Sequence, residues 1–303
     1  MSKLDFLIER CKSLGRITAA IVDPRSDVAL TGALTSYEHG ILNPVLVGPK
    51  AEIKKIAKEN NINIERLKIV DAENEIEAAA KSAQLASTGE VHCLVKGSLH
   101  TDIMMHAVLQ PEYNLRTTNL ISSCGLLDVP SYNRLIFLTD MVMNILPTLD
   151  QKVHIINNAV EMAIALGWSM PKVSIVSAVE TINPKIQTTL DAAVLSKMAD
   201  RGQIKNCVID GPIDLDISIS PQSAKTKHFK SQIMGNADIL LLPDLEAANI
   251  MYKTLVFMAN ATAADVILGA KIPIVVTSRS DDEKTRLLSD AAAALIAHSK
   301  VKA

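Results

Sequence analysis

Short apolar runs and helix-patterned segments alternate along almost the whole of this 303-residue chain, and that alternation limits the fold more than any other feature. A helix-spaced stretch at Leu4–Leu14 comes first. Ile17–Val22 reads as a strand halting at Asp23-Pro24, and Asp27–His39 as a helix stopped by Gly40. Pro44–Val47, closed by Gly48-Pro49, leads into a helix at Ala51–Glu59. Leu67–Val70 leads into another at Glu73–Ser87, ended by Gly89, and Val91–Lys96 closes at Gly97. Glycine and proline mark most of these switches. Repeats of strand and helix fold as parallel sheets with helices packed on them, joined by right-handed crossovers. The expected class is α/β, mostly parallel sheets with helices on both faces.

The rhythm breaks once. Asn119–Leu127 and Arg134–Thr139, separated by Asp128-Val129-Pro130-Ser131, read as an antiparallel pair. A long helix, Leu149–Leu166, ends at Gly167. The alternation then resumes with strand Val173–Val176, helix Thr188–Met198, strand Cys207–Ile209, a helix near Pro221–Lys227, strand Ile239–Leu242 and helix Ala247–Met258. Two short strands, Val266–Leu268 and Ile274–Thr277, precede the last helix, Glu283–His298. That helix is Ala-rich, and we expect it to be amphipathic and to dock back on the first domain. Two domains are expected, residues 1–131 with 276–303, and residues 132–275.

The chain is 48% hydrophobic but only 3% aromatic, so its core must be aliphatic, which suits helices on a parallel sheet. A net charge of −2 gives no global field for nucleic acid, so an anionic ligand needs local cations. No uncharged apolar stretch approaches the ~20 residues that span a membrane, and the N-terminus lacks the apolar run of a signal peptide. Cys11, Cys93, Cys124 and Cys207 form no CxxC pair and match no zinc spacing. They read as reduced, mostly buried thiols of a cytoplasmic protein.

Polar residues gather where the strands end. The richest group follows Ile274–Thr277: Ser278, Arg279, Ser280, Asp281, Asp282 and Glu283. The acids fit a helix cap and first turn. Arg279 does not fit, because a cation at the positive end of a helix calls for an anionic partner. A phosphate matches the guanidinium fork, and so do the neighbouring acids. Pro243–Lys253 places Asn249 and Lys253 four apart on one helix face, with Tyr252 beside them; a capped helix with a solvated lysine accounts for the same residues. Glu180, Asn183 and Lys185 follow Val173–Val176, Asp210 follows Cys207–Ile209, and Lys96-Gly97 closes Val91–Lys96. Arg116 is a further candidate cation. In a twisted parallel sheet such ends converge, and ligands of open α/β folds sit there. The sequence has no GxxxxGK[ST] loop, no GxGxxG after a strand, no HExxH, no metal-cage spacing of acids and no GxSxG elbow. Of the seven histidines, His92, His100 and His106 are close in sequence but share no helix face.

Five stretches carry a resemblance to a known family: Arg134–Asp140 (RLIFLTD), Val179–Lys185 (VETINPK), Thr189–Ser220, Pro243–Leu255 (PDLEAANIMYKTL) and Val275–Thr285 (VVTSRSDDEKT). Together they resemble the phosphate acetyl/butyryltransferase family, and the butyryl branch most, over nearly the whole chain. The resemblance implies a two-domain α/β fold of the isocitrate/isopropylmalate dehydrogenase type, usually dimeric through the second domain, with the active site between domains. It implies reversible exchange of an acyl group between coenzyme A and phosphate without a metal or other cofactor, the coenzyme A thioester being a substrate. The expected partners are acyl-CoA, inorganic phosphate and acyl phosphate, plus a second copy of the chain, with no nucleic acid and no membrane. The family's Ser-Arg pair matches Ser278-Arg279. An Asp proposed to deprotonate the thiol in the acetyl branch falls at Thr285 here, which leaves Asp281 and then Asp282 as the bases to consider. The alternatives from the residues are acetyl-CoA as main substrate, a metal- and NAD-dependent decarboxylating dehydrogenase of the same fold, and a non-catalytic binding protein.

Overall fold

The computed structural model describes residues 2–277 and 281–302 of the chain. A 3-10 turn at Lys3–Asp5 leads into α1 (Phe6–Leu14), β1 (Ile17–Val22), α2 (Asp27–Glu38), β2 (Leu42–Gly48), α3 (Lys50–Glu59), β3 (Lys68–Asp71), α4 (Glu75–Ser87), β4 (Cys93–Lys96) and α5 (Thr101–Val108). Then come β5 (Ser122–Asp128), β6 (Leu135–Thr139), α6 (Leu149–Leu166), β7 (Lys172–Val176), α7 (Gln187–Asp200), β8 (Val208–Ile213), α8 (Leu215–Ile219), α9 (Pro221–Thr226), β9 (Ile239–Leu241) and α10 (Leu245–Ala259). β10 (Thr262–Leu268), β11 (Ile274–Val275) and α11 (Glu283–Lys302) close the chain.

Two compact units form, Met1–Thr118 with Ala264–Ala303, and Asn119–Ala263. These limits differ from the boundaries at 131 and 275 expected from sequence. A cut at 131 would part β5 from β6, which pair antiparallel from Cys124↔Thr139 to Asp128↔Leu135. A cut at 275 would remove β11 from its parallel partner β4. The first limit falls where the rhythm of the sequence breaks, at Asn119, and the second falls within β10, ahead of β11.

In the first unit the strand order is β3-β2-β1-β4-β11-β10. All neighbours are parallel except β10 against β11. The chain runs outward from β1 to β2 and β3, then returns across β1 to β4. This reversal leaves a crevice at the carboxyl ends of β1 and β4, the switch point of an open sheet. Ala19, Ala20, Ile21 and Val22 of β1 are all buried, as befits a strand covered on both faces. The second unit has the order β5-β6-β9-β7-β8, parallel apart from β5 with β6. Phe137 meets Trp168 edge-on at 5.0 Å there.

Local signals explain where the helices stop and start. α6 opens on a capping box, Thr148 with Gln151, and ends on left-handed Gly167, which matches both ends of the helix expected from sequence. α5 was not expected: its apolar residues bunch at Ile103–Met105 and Ala107-Val108 without a clear period. α11 is not amphipathic, as the sequence reading had it. Leu287 to Ala297 are buried without interruption, because alanine lets neighbours close in from every side. It packs against α1 and α2, and the Cys11 thiol donates to the Ala291 carbonyl.

Candidate active site

At the crevice between β1 and β4 the first unit holds a cavity of about 360 Å³, lined by Ser26, Val28, Ala29, Lys96, Gly97, Ser98, Thr277 and Arg286. Each element brings a specific piece. β1 ends at Asp23, buried and at φ 54°, which turns the chain into α2. Ser26 caps that helix by accepting from the Ala29 amide. β4 ends on Lys96-Gly97, laced to the end of β1: the Gly97 amide donates to the Val22 carbonyl at 2.8 Å and the Ser98 amide to the Asp23 carbonyl at 2.8 Å. Only glycine fits, since a Cβ at residue 97 would stand 2.5 Å from both of those oxygens. Lys96 Nζ donates to the carbonyls of Gly97 and Leu99, so its cation is held at the cavity wall.

β11 and α11 bring the second cation. Arg286 donates from Nη1 to Thr277 Oγ1 at 3.1 Å and from Nη2 to the Asp281 carbonyl at 3.0 Å. Two cations and the first turn of α2 thus border one small cavity, a combination that favours an anion. The Ser98 hydroxyl oxygen is buried there with no hydrogen-bond partner among the described residues. Behind Arg286, one turn further along α11, lies Asp290. It is 4% exposed and accepts from Ser36 Oγ at 2.5 Å. Burial pushes its carboxyl up to about 7, against the pull of that hydrogen bond and of the Arg286 charge. Burial also pushes the thiols of Cys11 and Cys207 up, to about 12 and about 11, and that of Cys93 well above the usual range. Such thiols stay protonated and are poor nucleophiles.

A larger groove of about 820 Å³ lies between α3 and the edge strand β3 and holds none of the residues singled out from sequence.

The site residues expected from sequence are distributed as follows. Ser278 and Arg279 lie outside the described residues. Asp281 is half-buried, and its carbonyl is one anchor of Arg286. Asp282 is exposed and caps α11, its Oδ1 accepting from the Thr285 amide at 2.7 Å. Lys96 and Gly97 line the cavity. Arg116 belongs to the same unit, exposed and bridged to Ala270 rather than lining that cavity.

In the second unit, Glu180, Asn183 and Lys185 follow β7, and Asn249, Tyr252 and Lys253 lie on the helix that follows its neighbour β9. The Asn183 backbone is pinned at both amide and carbonyl by Thr189 Oγ1, and Lys185 is exposed. Asn249 and Lys253 share a face as expected. Asn249 donates to the Met141 carbonyl at 3.0 Å, while Tyr252 is partly buried against the core cluster of the second unit. Asp210 departs from expectation. β8 runs on to Ile213, so Asp210 sits within the strand opposite Ser174, and its carboxylate accepts from the Gly211 amide. The ladder continues through Gly211-Pro212, which read as a stop in the sequence. The residue at the true strand end is Asp214, paired with Lys227 at 3.0 Å.

Two organising residues escaped the sequence reading. Arg286 is a cation in the first turns of a helix, an electrostatic oddity of the kind the sequence reading weighed for Arg279, and that signal was available. Asp140 left no such trace. Buried at the end of β6, it accepts from the amides of Ser123, Val142, Met143 and Asn144 and from the side chains of Ser123 and Asn144. It thereby shapes the loop that Asn249 also holds.

Comparison with known proteins gives this geometry its context. Residues 74–294 match the family model described as phosphate acetyl/butaryl transferase. The chain is 42% identical over 296 residues to a phosphate acetyltransferase of Rhizobium meliloti, covering 98% of this chain and 94% of that one. It is 39% identical over 294 residues to a phosphate butyryltransferase of Clostridium acetobutylicum, covering 97% and 98%. The crystal structure of a branched-chain phosphotransacylase from Enterococcus faecalis V583 superposes with a TM-score of 0.83 at 28% identity, over 93% of this chain and 99% of that one. A parallel-stranded fold with an anion-favouring cavity at its switch point, and this degree of likeness from end to end, make the chain an acyltransferase that belongs to the phosphate acetyl/butyryltransferase family.

Proposed function

We propose that the chain transfers a short-chain acyl group, butyryl preferred, reversibly between coenzyme A and inorganic phosphate by direct attack in a ternary complex. The observation that carries this reading is the cavity where Lys96, Arg286 and the first turn of α2 meet at the carboxyl ends of β1, β4 and β11. In one direction the coenzyme A sulfur attacks the carbonyl carbon of the acyl phosphate and phosphate leaves. In the other, a phosphate oxygen attacks the thioester and the thiolate leaves. A free thiol and a free aspartate differ by about 4.6 pKa units, so full proton transfer to an ordinary carboxylate costs about 6 kcal/mol. The site must therefore hold the thiolate or raise its base. We assign Arg279 to the phosphate and the developing charge, Ser278 to a hydrogen bond with the thiol or carbonyl oxygen, and Asp281, then Asp282, to the proton. Holding both substrates in place supplies several kcal/mol more.

We place the enzyme in the cytoplasm, in keeping with four free cysteines. We also propose a homodimer through the second unit. α10 supports this: among its apolar residues, Ile250, Phe257 and Met258 are 65%, 61% and 80% exposed. A patch of this kind marks a protein contact.

The test follows thiol release from acetyl-, propionyl- and butyryl-CoA with and without phosphate. Phosphate-dependent release, fastest with butyryl-CoA, is expected. Faster release from acetyl-CoA would favour the second reading, which the 42% identity to the Rhizobium acetyltransferase supports. No release from any thioester would sink both.

A further inference from the structure

Ser98 sits in the turn that joins β4 to α5, and its backbone is tied from several sides. Its amide donates to the Asp23 carbonyl at 2.8 Å, at the end of β1. Lys96 Nζ donates to the carbonyls of the residues flanking it, Gly97 at 3.2 Å and Leu99 at 3.3 Å. The next side chain, Leu99, is buried and anchors the turn to the core. The Ser98 side chain is the exception. The residue is half-buried and lines the cavity, yet its Oγ is buried and meets neither donor nor acceptor among the described residues. A hydroxyl taken out of water and left unpaired destabilises the fold. Folded chains keep few such groups, and each calls for a reason. Serines that serve the structure have their partners: Ser26, on the same cavity, caps α2 by accepting from the Ala29 amide, and Ser82 donates to the Ala78 carbonyl. Ser98 serves no neighbour in this way.

Resting on the acyl-transfer reading above, we propose that Ser98 is a phosphate-binding residue of the cavity. Its hydroxyl turns about the one rotatable side-chain bond, from one staggered position to another, and donates to an oxygen of a phosphate group that Lys96 and Arg286 attract to the same space. A hydrogen bond to a charged oxygen is of the stronger kind. The bound anion thus supplies the partner that the fold withholds, and the stability forgone in the empty site is recovered on binding. Inorganic phosphate and the phosphates of coenzyme A share this chemistry, and the experiment separates them.

Wild type is compared with Ser98→Ala by the urea midpoint without phosphate, by the rise in melting temperature on adding inorganic phosphate against sodium chloride of equal ionic strength, and by kcat and both KM values in the thiol-release assay. Because the hydroxyl holds nothing in the empty site, the urea midpoint of Ser98→Ala should equal or exceed that of wild type. Phosphate should raise the melting temperature of wild type by more than that of the variant. The phosphate KM should rise about tenfold, with kcat and the butyryl-CoA KM within about threefold, the pattern of a contact made alike in ground and transition states. A raised butyryl-CoA KM with unchanged phosphate KM supports the contact and gives it to a phosphate of the coenzyme. Both KM values at the wild-type level, with equal melting shifts, overturn the proposal. So does a lowered urea midpoint or a variant that fails to fold, since the hydroxyl is then structural. A wild type that phosphate stabilises but that releases no thiol refutes the acyl-transfer reading itself, and the melting shifts then decide the role of Ser98.

Discussion

Asp290→Asn should stabilise the protein, and by an amount that grows with pH. Asp290 is a buried carboxyl whose ordinary value of 3.8 is pushed up to about 7 by burial. Around it stand Ser36 from α2, Cys11 from α1, Cys93 from β4 and Arg286 on its own helix. In the unfolded chain the group ionises near its ordinary value, and in the folded chain only near neutrality. The folded state therefore holds the proton more tightly, and the stability this brings is complete below about pH 4 and lost as pH rises through about 7. A shift of about three units corresponds to roughly 4 kcal/mol. Asparagine keeps an oxygen for Ser36 Oγ and cannot ionise, so the variant escapes the loss. Relative to wild type its stability should rise by about 2–3 kcal/mol between pH 5 and pH 8 and level off above. Urea unfolding followed by far-UV circular dichroism at each pH reads the difference. Trp168 lies in the other unit, so its fluorescence is the wrong reporter. A gap between the two proteins that stays flat from pH 5 to pH 8 would refute the assignment of Asp290 as the titrating group.

Other consequences are more local. Arg279→Gln should cripple turnover in the thiol-release assay and leave the circular dichroism spectrum unchanged; near-normal activity would remove Arg279 from the mechanism. Gly97→Ala drives a Cβ against the carbonyls of Val22 and Asp23, and should cost at least ~2 kcal/mol in urea unfolding, with loss of activity. Lys152→Met leaves the buried Asp191 carboxylate, 2.7 Å from the lost ammonium, unpaired; about 3–5 kcal/mol should disappear from unfolding followed by Trp168 fluorescence, and adding Asp191→Leu should restore much of it. Phe257→Glu puts a charge on the exposed face of α10 and should convert a dimer to monomer in light scattering; an unchanged mass places the contact elsewhere.

Much of the fold could be read along the chain because its signals are local. Ile17–Val22 and Leu149–Leu166 were closed by residues with one physical meaning, Asp-Pro after a buried strand and a terminal glycine after the helix. Likewise Lys96-Gly97 was legible as a strand end, and it lines the cavity. What failed were inferences in which a local rule met a neighbour. Gly211-Pro212 says stop, yet the ladder on β7 carries β8 through it and takes Asp210 away from the strand end. The alanines of α11 were read as one packed face, but only the elements around that helix decide that every face is covered.

From the sequence alone came the α/β class, the stops of many elements, and the gathering of polar residues at strand ends, all properties of residues within a few positions of one another. Strand order was decided only by the packed chain, and with it the reversal between β1 and β4 that opens the cavity. So were the grip of Arg286 on Thr277 and the displaced ionisation of Asp290, whose Ser36 partner is 254 residues away along the chain. Distance through space sets hydrogen bonds and dielectric surroundings, and no spacing along the sequence records it.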